Sequence, residues 1–327
     1  MKKDLSIKVI PTLDSNYGYK EKFENLPIYF GKIEGEKEKP FTPKCFAGAW
    51  YRKVVSNKDK WCGMEGIIEL GEFHSDPKRY TKDTRMDLVR DLDNPSIYMG
   101  GFALSESDAG LGMNVSYPTG DTSYELDYSS PRYCFKPFWR YIYKTASDNN
   151  GNVDRHSINS WNITDPRLLQ YYYFPGDVLR MAIYSPIPNY LQLKIEVIKP
   201  TTIEKYVNMR KSYNLVNDMP SNFYSPLFYS EGHGTGMDCE YKRVNSIDQY
   251  GNEGLIAIPT DANITSTWHE CFLYRIIDGK LYKVPFTEDR QASMMCPNEK
   301  AVKVTKENLK AELGAEKIEL FPSKCND

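Results

Sequence analysis

Short apolar runs that alternate with polar positions, each bounded by turn residues, recur along the chain. They are FAGAWYRKVV (46–55), GIIEL (66–70), SIYMGGFAL (96–104), LGMNVSY (111–117) and YCFKPFWRYIY (133–143). DVLRMAIYS (177–185), YLQLKIEVI (190–198), CEYKRVNSI (239–247), LIAIP (255–259) and WHECFLYRIIDGKLYKVP (268–285) follow. A repeat of two sends successive side chains to opposite faces of a strand, so many such runs with few helical patterns predict an all-β fold, a two-sheet antiparallel sandwich. The clearest hairpin is DVLRMAIYSPIPNYLQLKIEVI. Leu179, Met181 and Ile183 share one face with Leu191, Leu193, Ile195 and Val197, while Arg180, Gln192, Lys194 and Glu196 share the other. One face is dry and one wet, as in an antiparallel sheet covered on a single side. Helical signal is confined to 201–213, with a threonine cap and an early glutamate, and to 305–317, where Leu309 and Leu313 stand four apart. The expected organisation is one large sandwich over 1–290 with an N-terminal extension, then an appended segment, 291–327, carrying a short peripheral helix.

Composition narrows the classes. Forty-two basic against 44 acidic residues give a formal net charge of −2, which provides no positive field for a nucleic-acid backbone. No apolar run approaches the roughly 18 residues of a membrane span. The 25 tyrosines exceed the 14 phenylalanines, as half-exposed sheet faces require. Seven scattered cysteines include no C-x-x-C pair, which speaks against structural zinc and against a disulfide framework. The first residues, MKKDLSIKVIPTLDSNYGY, lack the apolar stretch and cleavage site of a signal peptide. A cytoplasmic protein is expected if Met1 is native, a secreted one if a leader has been removed.

Four histidines form no metal-binding set with one another, and no phosphate loop or G-x-S-x-G elbow is present. No cofactor is expected; DLDN (91–94) is a weak calcium signal, two carboxylates in a loop. Carboxylates two apart on a strand share a face, as Glu106 and Asp108 do in SESDAG and Glu125 and Asp127 in YELDY. FKPFWRYIY sets Phe135, Trp139, Tyr141 and Tyr143 against Lys136, Arg140 and Lys144, an aromatic face opposite a basic one. That stripe either lines the core or offers a stacking platform. In YKRVNSIDQYGNEG (241–254), Arg243 and Asn245 project to one side of a strand, and Asp248, Gln249 and Glu253 gather at the turn after it. Such a group is either a self-satisfied network bracing a corner or a set of donors and acceptors aimed at a ligand.

With YYYFPGDVLRMAIYSPIPNYLQLKIEVI at its centre, and PSIYMGGFALSESDAGLGM and YKRVNSIDQYGNEG beside it, the chain resembles the concanavalin A-like lectin and glucanase superfamily over residues 45 to 280. The resemblance implies a jelly-roll sandwich whose concave sheet binds an oligo- or polysaccharide. On that reading Tyr98 and Trp139 stack on sugar rings, and Arg140, Arg180, Arg243, Asn245, Asp248, Gln249 and Glu253 hydrogen-bond to hydroxyls. It also implies, as an alternative, a glycoside hydrolase or polysaccharide lyase with Glu106 and Asp108 as acid and base. A protein-interaction sandwich without catalysis is the third reading. Laminarinase-like members carry E-x-D-x-E; here Gly110 stands where the third carboxylate would be, so the missing acid would come from another strand, such as Glu65 or Glu253.

Overall fold

A computed structural model describes residues 25–83, 88–104, 106–113, 115–118, 133–142, 170–212 and 220–323; Glu125 and Asp127 lie outside them. In chain order the strands are β1 (Ala49–Ser56), β2 (Trp61–His74), β3 (Tyr80–Asp83), β4 (Leu88–Asp91), β5 (Asp93–Phe102), β6 (Glu106–Met113), β7 (Ser116–Pro118) and β8 (Phe135–Ile142). They continue with β9 (Val178–Tyr184), β10 (Tyr190–Lys199), β11 (Phe223–Tyr224), β12 (Phe228–Tyr229) and β13 (Glu240–Gln249). The last are β14 (Asn263–Ile277), β15 (Lys280–Pro285), β16 (Gln291–Cys296), β17 (Val302–Thr305) and β18 (Glu316–Leu320). Among the described residues one α-helix occurs, α1 (Glu204–Ser212), inside the expected 201–213.

Two antiparallel sheets form the sandwich. One runs β16-β1-β13-β5-β6-β8, the other β11-β10-β9-β2-β14-β18-β17, with β12 beside β10 and β15 beside β14; β3-β4-β7 make a small third sheet. The β9–β10 hairpin pairs Leu179 with Val197, Met181 with Ile195 and Ile183 with Leu193, all residues that the alternation placed on one face. These side chains meet Ile97, Met99, Leu111, Trp139 and Ile247 of the six-stranded sheet in one continuous core. Burying such residues stabilises the fold by about 1.5–3 kcal/mol each, before chain entropy is set against it.

Three expectations are corrected. LIAIP (255–259) is a loop that exposes Leu255 and Ile256 rather than a strand. The 305–317 region holds a 3-10 turn, Ala311–Leu313, closed by Gly314 at φ 78°, and then β18. Two leucines are a weak helical signal beside the pairing of β18 with β14, and a Cβ at position 314 would stand 2.9 Å from the Cys271 carbonyl oxygen. Residues 291–320 therefore supply β16 to one sheet and β17 and β18 to the other, where an appended segment was expected. Scattered spacing also concealed a disulfide, Cys45–Cys296, which ties residues 251 apart and anchors the approach to β1 onto β16.

Candidate functional site

Strand parity sorts the residues expected to bind a ligand into two groups. Arg243 and Asn245 do share a side of β13, and it is the inner side, where each is 2% exposed. Arg243 Nη2 lies 2.5 Å from Glu316 Oε1 on β18, and Arg52 of β1 adds bonds of 3.2 and 2.9 Å to the same carboxylate. Burial would raise the Glu316 carboxyl, but Arg243 and Arg52 outweigh it and hold it below its ordinary value. Arg243 also lies over the Trp268 ring, whose Nε1–H donates to Asn245 Oδ1 at 2.8 Å, and the Asn245 amide donates to Ser266 Oγ at 2.7 Å. This network clamps one sheet to the other and leaves no room for a ligand. Trp139, 1% exposed, is likewise in the core beside Phe223, and Arg180 sits on the outer face of the other sheet, paired with Glu196.

The second group lies on the outer face of the six-stranded sheet. Asp108 of β6 stands directly opposite Arg140 of β8, whose Nε donates to Oδ2 at 2.8 Å. From the other direction, Lys242 of β13 reaches across β5 to within 2.7 Å of Asp108 Oδ1 and also pairs with Glu106. The crossing passes over Gly100. A Cβ there would come within 2.7 Å of Lys242 Cε and 2.9 Å of Asp108 Oδ1, so only glycine lets the ions meet. Burial would raise the Asp108 carboxyl, and the two cations reverse this and hold it ionised well below the usual range.

Next to these ions is a cavity of about 530 Å³, walled by Phe46, Tyr98 and Tyr250 and by the polar groups of Arg90, Asn94 and Asp248. Arg140, Gln249 and Glu253 also reach it, so five of the expected binding residues converge here: Tyr98, Arg140, Asp248, Gln249 and Glu253. Tyr98 packs edge-on against Phe138, and Phe46 stacks on Tyr51 with centroids 4.2 Å apart. Asp248 accepts from the hydroxyls of Ser96 at 2.8 Å and Ser246 at 3.1 Å; burial nevertheless raises its carboxyl above the ordinary value. Gln249 is fully engaged in the turn. Its amide donates to Asp93 Oδ1 and the Ile258 carbonyl, while its oxygen accepts from Ile258 N–H and Asn252. Asp93 is taken up further by Arg79 and Thr260, so this carboxylate of DLDN serves the corner. Among the described residues, no group of three or more His, Cys, Asp or Glu is arranged to hold a metal.

Sequence reasoning missed the cavity's two unsatisfied groups. Arg90 comes from β4 of the small sheet, with its guanidinium 4.0 Å from the Tyr250 ring centroid and its buried Nε without an acceptor. Asn94 stands opposite Asp248 in the β5–β13 pairing, and its buried Oδ1 accepts nothing. Nothing in LVRDLDN marks either residue, because the signal is spatial.

No protein-family model, that of the concanavalin A-like lectins included, and no curated protein matches the chain. Among solved structures it is similar to Scytalido-glutamic peptidase with a peptide-based transition state analog, at TM-score 0.39 and 8% identity over 83% of this chain and 97% of that one. A second structure of that peptidase, with a transition state analog inhibitor, gives 0.40 and 8% over 84% and 98%. SCP-B, a member of the Eqolisin family of peptidases in complex with the tripeptide Ala-Ile-His, gives 0.34 and 6% over 84% and 98%. Values this low carry no statement about activity or substrate.

These three are peptidases rather than lectins or glycosidases. The geometry of the chain itself corrects the carbohydrate expectation. Glu106 and Asp108 converge on one lysine instead of flanking a space for a sugar, and neither lines the cavity. A glycosidase pair needs one carboxyl protonated and both aimed at substrate, roughly 5 to 9.5 Å apart. The stacking and hydroxyl-binding roles given to Trp139, Arg243 and Asn245 fail because those side chains are sealed between the sheets. Among the described residues, no helix is long and apolar enough to cross a membrane.

Proposed function

We propose that the cavity beside the 248–254 turn is a binding site for a short peptide segment, and that the protein acts as a peptide-binding module. The observation that carries this is the pair of buried, unpartnered groups in its wall, a donor at Arg90 Nε and an acceptor at Asn94 Oδ1. An unmade hydrogen bond in a buried site costs about 1–3 kcal/mol, so a ligand that supplies both partners is favoured. A peptide group does so, offering a carbonyl oxygen to Arg90 and an N–H to Asn94. Phe46, Tyr98 and Tyr250 provide apolar walls for side chains, and the volume falls within the roughly 300–1,000 Å³ of small-ligand pockets. The Cys45–Cys296 disulfide, next to Phe46 in sequence, supports an oxidising compartment.

Calorimetric titration with pooled, unstructured tripeptides tests the reading. Saturable binding is expected, weakened about tenfold by Asn94→Ala, the equivalent of one hydrogen bond near 1.4 kcal/mol. Absence of binding to every pool would overturn it.

A further inference from the structure

Two acceptors in the cavity wall stand side by side. Asn94 of β5 is directly opposite Asp248 of β13, which puts their Cβ atoms about 5 Å apart on the outer face. Ser96 and Ser246 both donate to Asp248 Oδ2, and among the described residues no donor reaches Oδ1. Asn94 Oδ1 accepts nothing either. Asp248 forms no ion pair among the described residues; Arg140, which shares the cavity wall, gives Nε and Nη2 to Asp108 instead. Burial raises the Asp248 carboxyl, and a cation brought beside it would oppose that effect. A peptide N–H inside a chain carries one hydrogen and satisfies only one of the two acceptors, and a carboxylate would be repelled by both. An ammonium group has three hydrogens and the matching charge.

We propose that the peptide is held by its N-terminal end, with the α-ammonium group lying between Asp248 Oδ1 and Asn94 Oδ1 and the carbonyl oxygen of the first residue accepting from Arg90 Nε. This rests on the peptide reading above and names the part of the ligand that the cavity selects. The first residue of a peptide supplies the donors and the acceptor together, since its ammonium and its carbonyl are joined through a single Cα. A lysine side chain carries the same ammonium with no carbonyl beside it, which would leave Arg90 Nε without a partner.

The full chain is titrated by calorimetry with three C-terminal amides, Ala-Ala-Ala, N-acetyl-Ala-Ala-Ala and N-acetyl-Ala-Ala-Lys. The peptide with the free amine is expected to bind at least tenfold tighter than either acetylated one. The preference should disappear in Asp248→Asn, shrink in Asn94→Ala and weaken as salt is raised. Asp248→Asn should unfold at the wild-type temperature or above, because it removes a buried charge that has no counter-ion; this separates lost recognition from lost folding. Equal binding of the free and acetylated peptides, a lysine peptide that binds as tightly as the free amine, or a preference unchanged in Asp248→Asn overturns the N-terminal inference and leaves the peptide reading standing. Binding of none of the three overturns both, and displacement of Ala-Ala-Ala amide by an equal concentration of methylammonium shows a general cation site and also overturns both.

Discussion

Replacing Glu316 by Gln tests whether the polar groups of β13 brace the fold. The substitution keeps the size and one acceptor oxygen but removes the only carboxylate that Arg52 and Arg243 share as their ion-pair partner among the described residues. Both guanidinium groups then remain between the sheets, 4% and 2% exposed, with no counter-charge. Removing one partner of a buried ion pair costs about 3–5 kcal/mol, a large part of the roughly 5–15 kcal/mol that holds a domain folded. Arg52→Met is the informative contrast. It leaves a balanced Arg243–Glu316 pair and substitutes an apolar chain of similar length, so about 1 kcal/mol or less is expected. Urea unfolding read by tryptophan fluorescence, with an unchanged slope, measures both. A Glu316→Gln loss below about 1 kcal/mol, or an Arg52→Met loss equal to it, would refute the reasoning. Acid offers a second measurement of the same group. The folded Glu316 carboxyl is depressed from its ordinary 4.5, so its stabilisation is present above that value and is lost as pH falls through the lower folded value. Glu316→Gln should abolish that part of the acid transition.

Two further outcomes follow from local geometry. Gly100→Ala should cost at least about 2 kcal/mol by thermal unfolding, because its Cβ would press on the Ser107 carbonyl oxygen at 2.3 Å and on the Lys242–Asp108 crossing. Gly112→Ala on the neighbouring strand, with only ordinary contacts, should change stability by less than about 1 kcal/mol; similar losses at the two sites would contradict the crossing's role. His233, fully buried and bonded through Nδ1 to Ser230, is pushed down by burial from 6.5 to about 4. Its folded value lies below its unfolded one, so stability should fall by about 3 kcal/mol as pH drops from 6.5 to 4. His233→Gln should flatten the melting temperature across that window, and an equally steep profile in the variant would count against the assignment.

The alternation of apolar and polar positions was enough to establish the sandwich, the β9–β10 hairpin and its dry face, because a period of two is a local property of the backbone. It also established which residues share a face: Arg243 with Asn245, and Glu106 with Asp108. Only the tertiary structure decided which face was inside. A strand carries no label for the side on which the second sheet will lie, so Arg243 and Asn245 went to the core beside Glu316 and Trp268, while Tyr98, Arg140 and Asp248 went to the outer face. The leucines at 309 and 313 misled for a related reason, since the pairing of β18 with β14 overrode a weak local preference. Arg90 and Asn94 come from two strands, and what unites them is a buried polar atom without a partner. Missing partners are a relation among distant residues in space, and no stretch of sequence contains one.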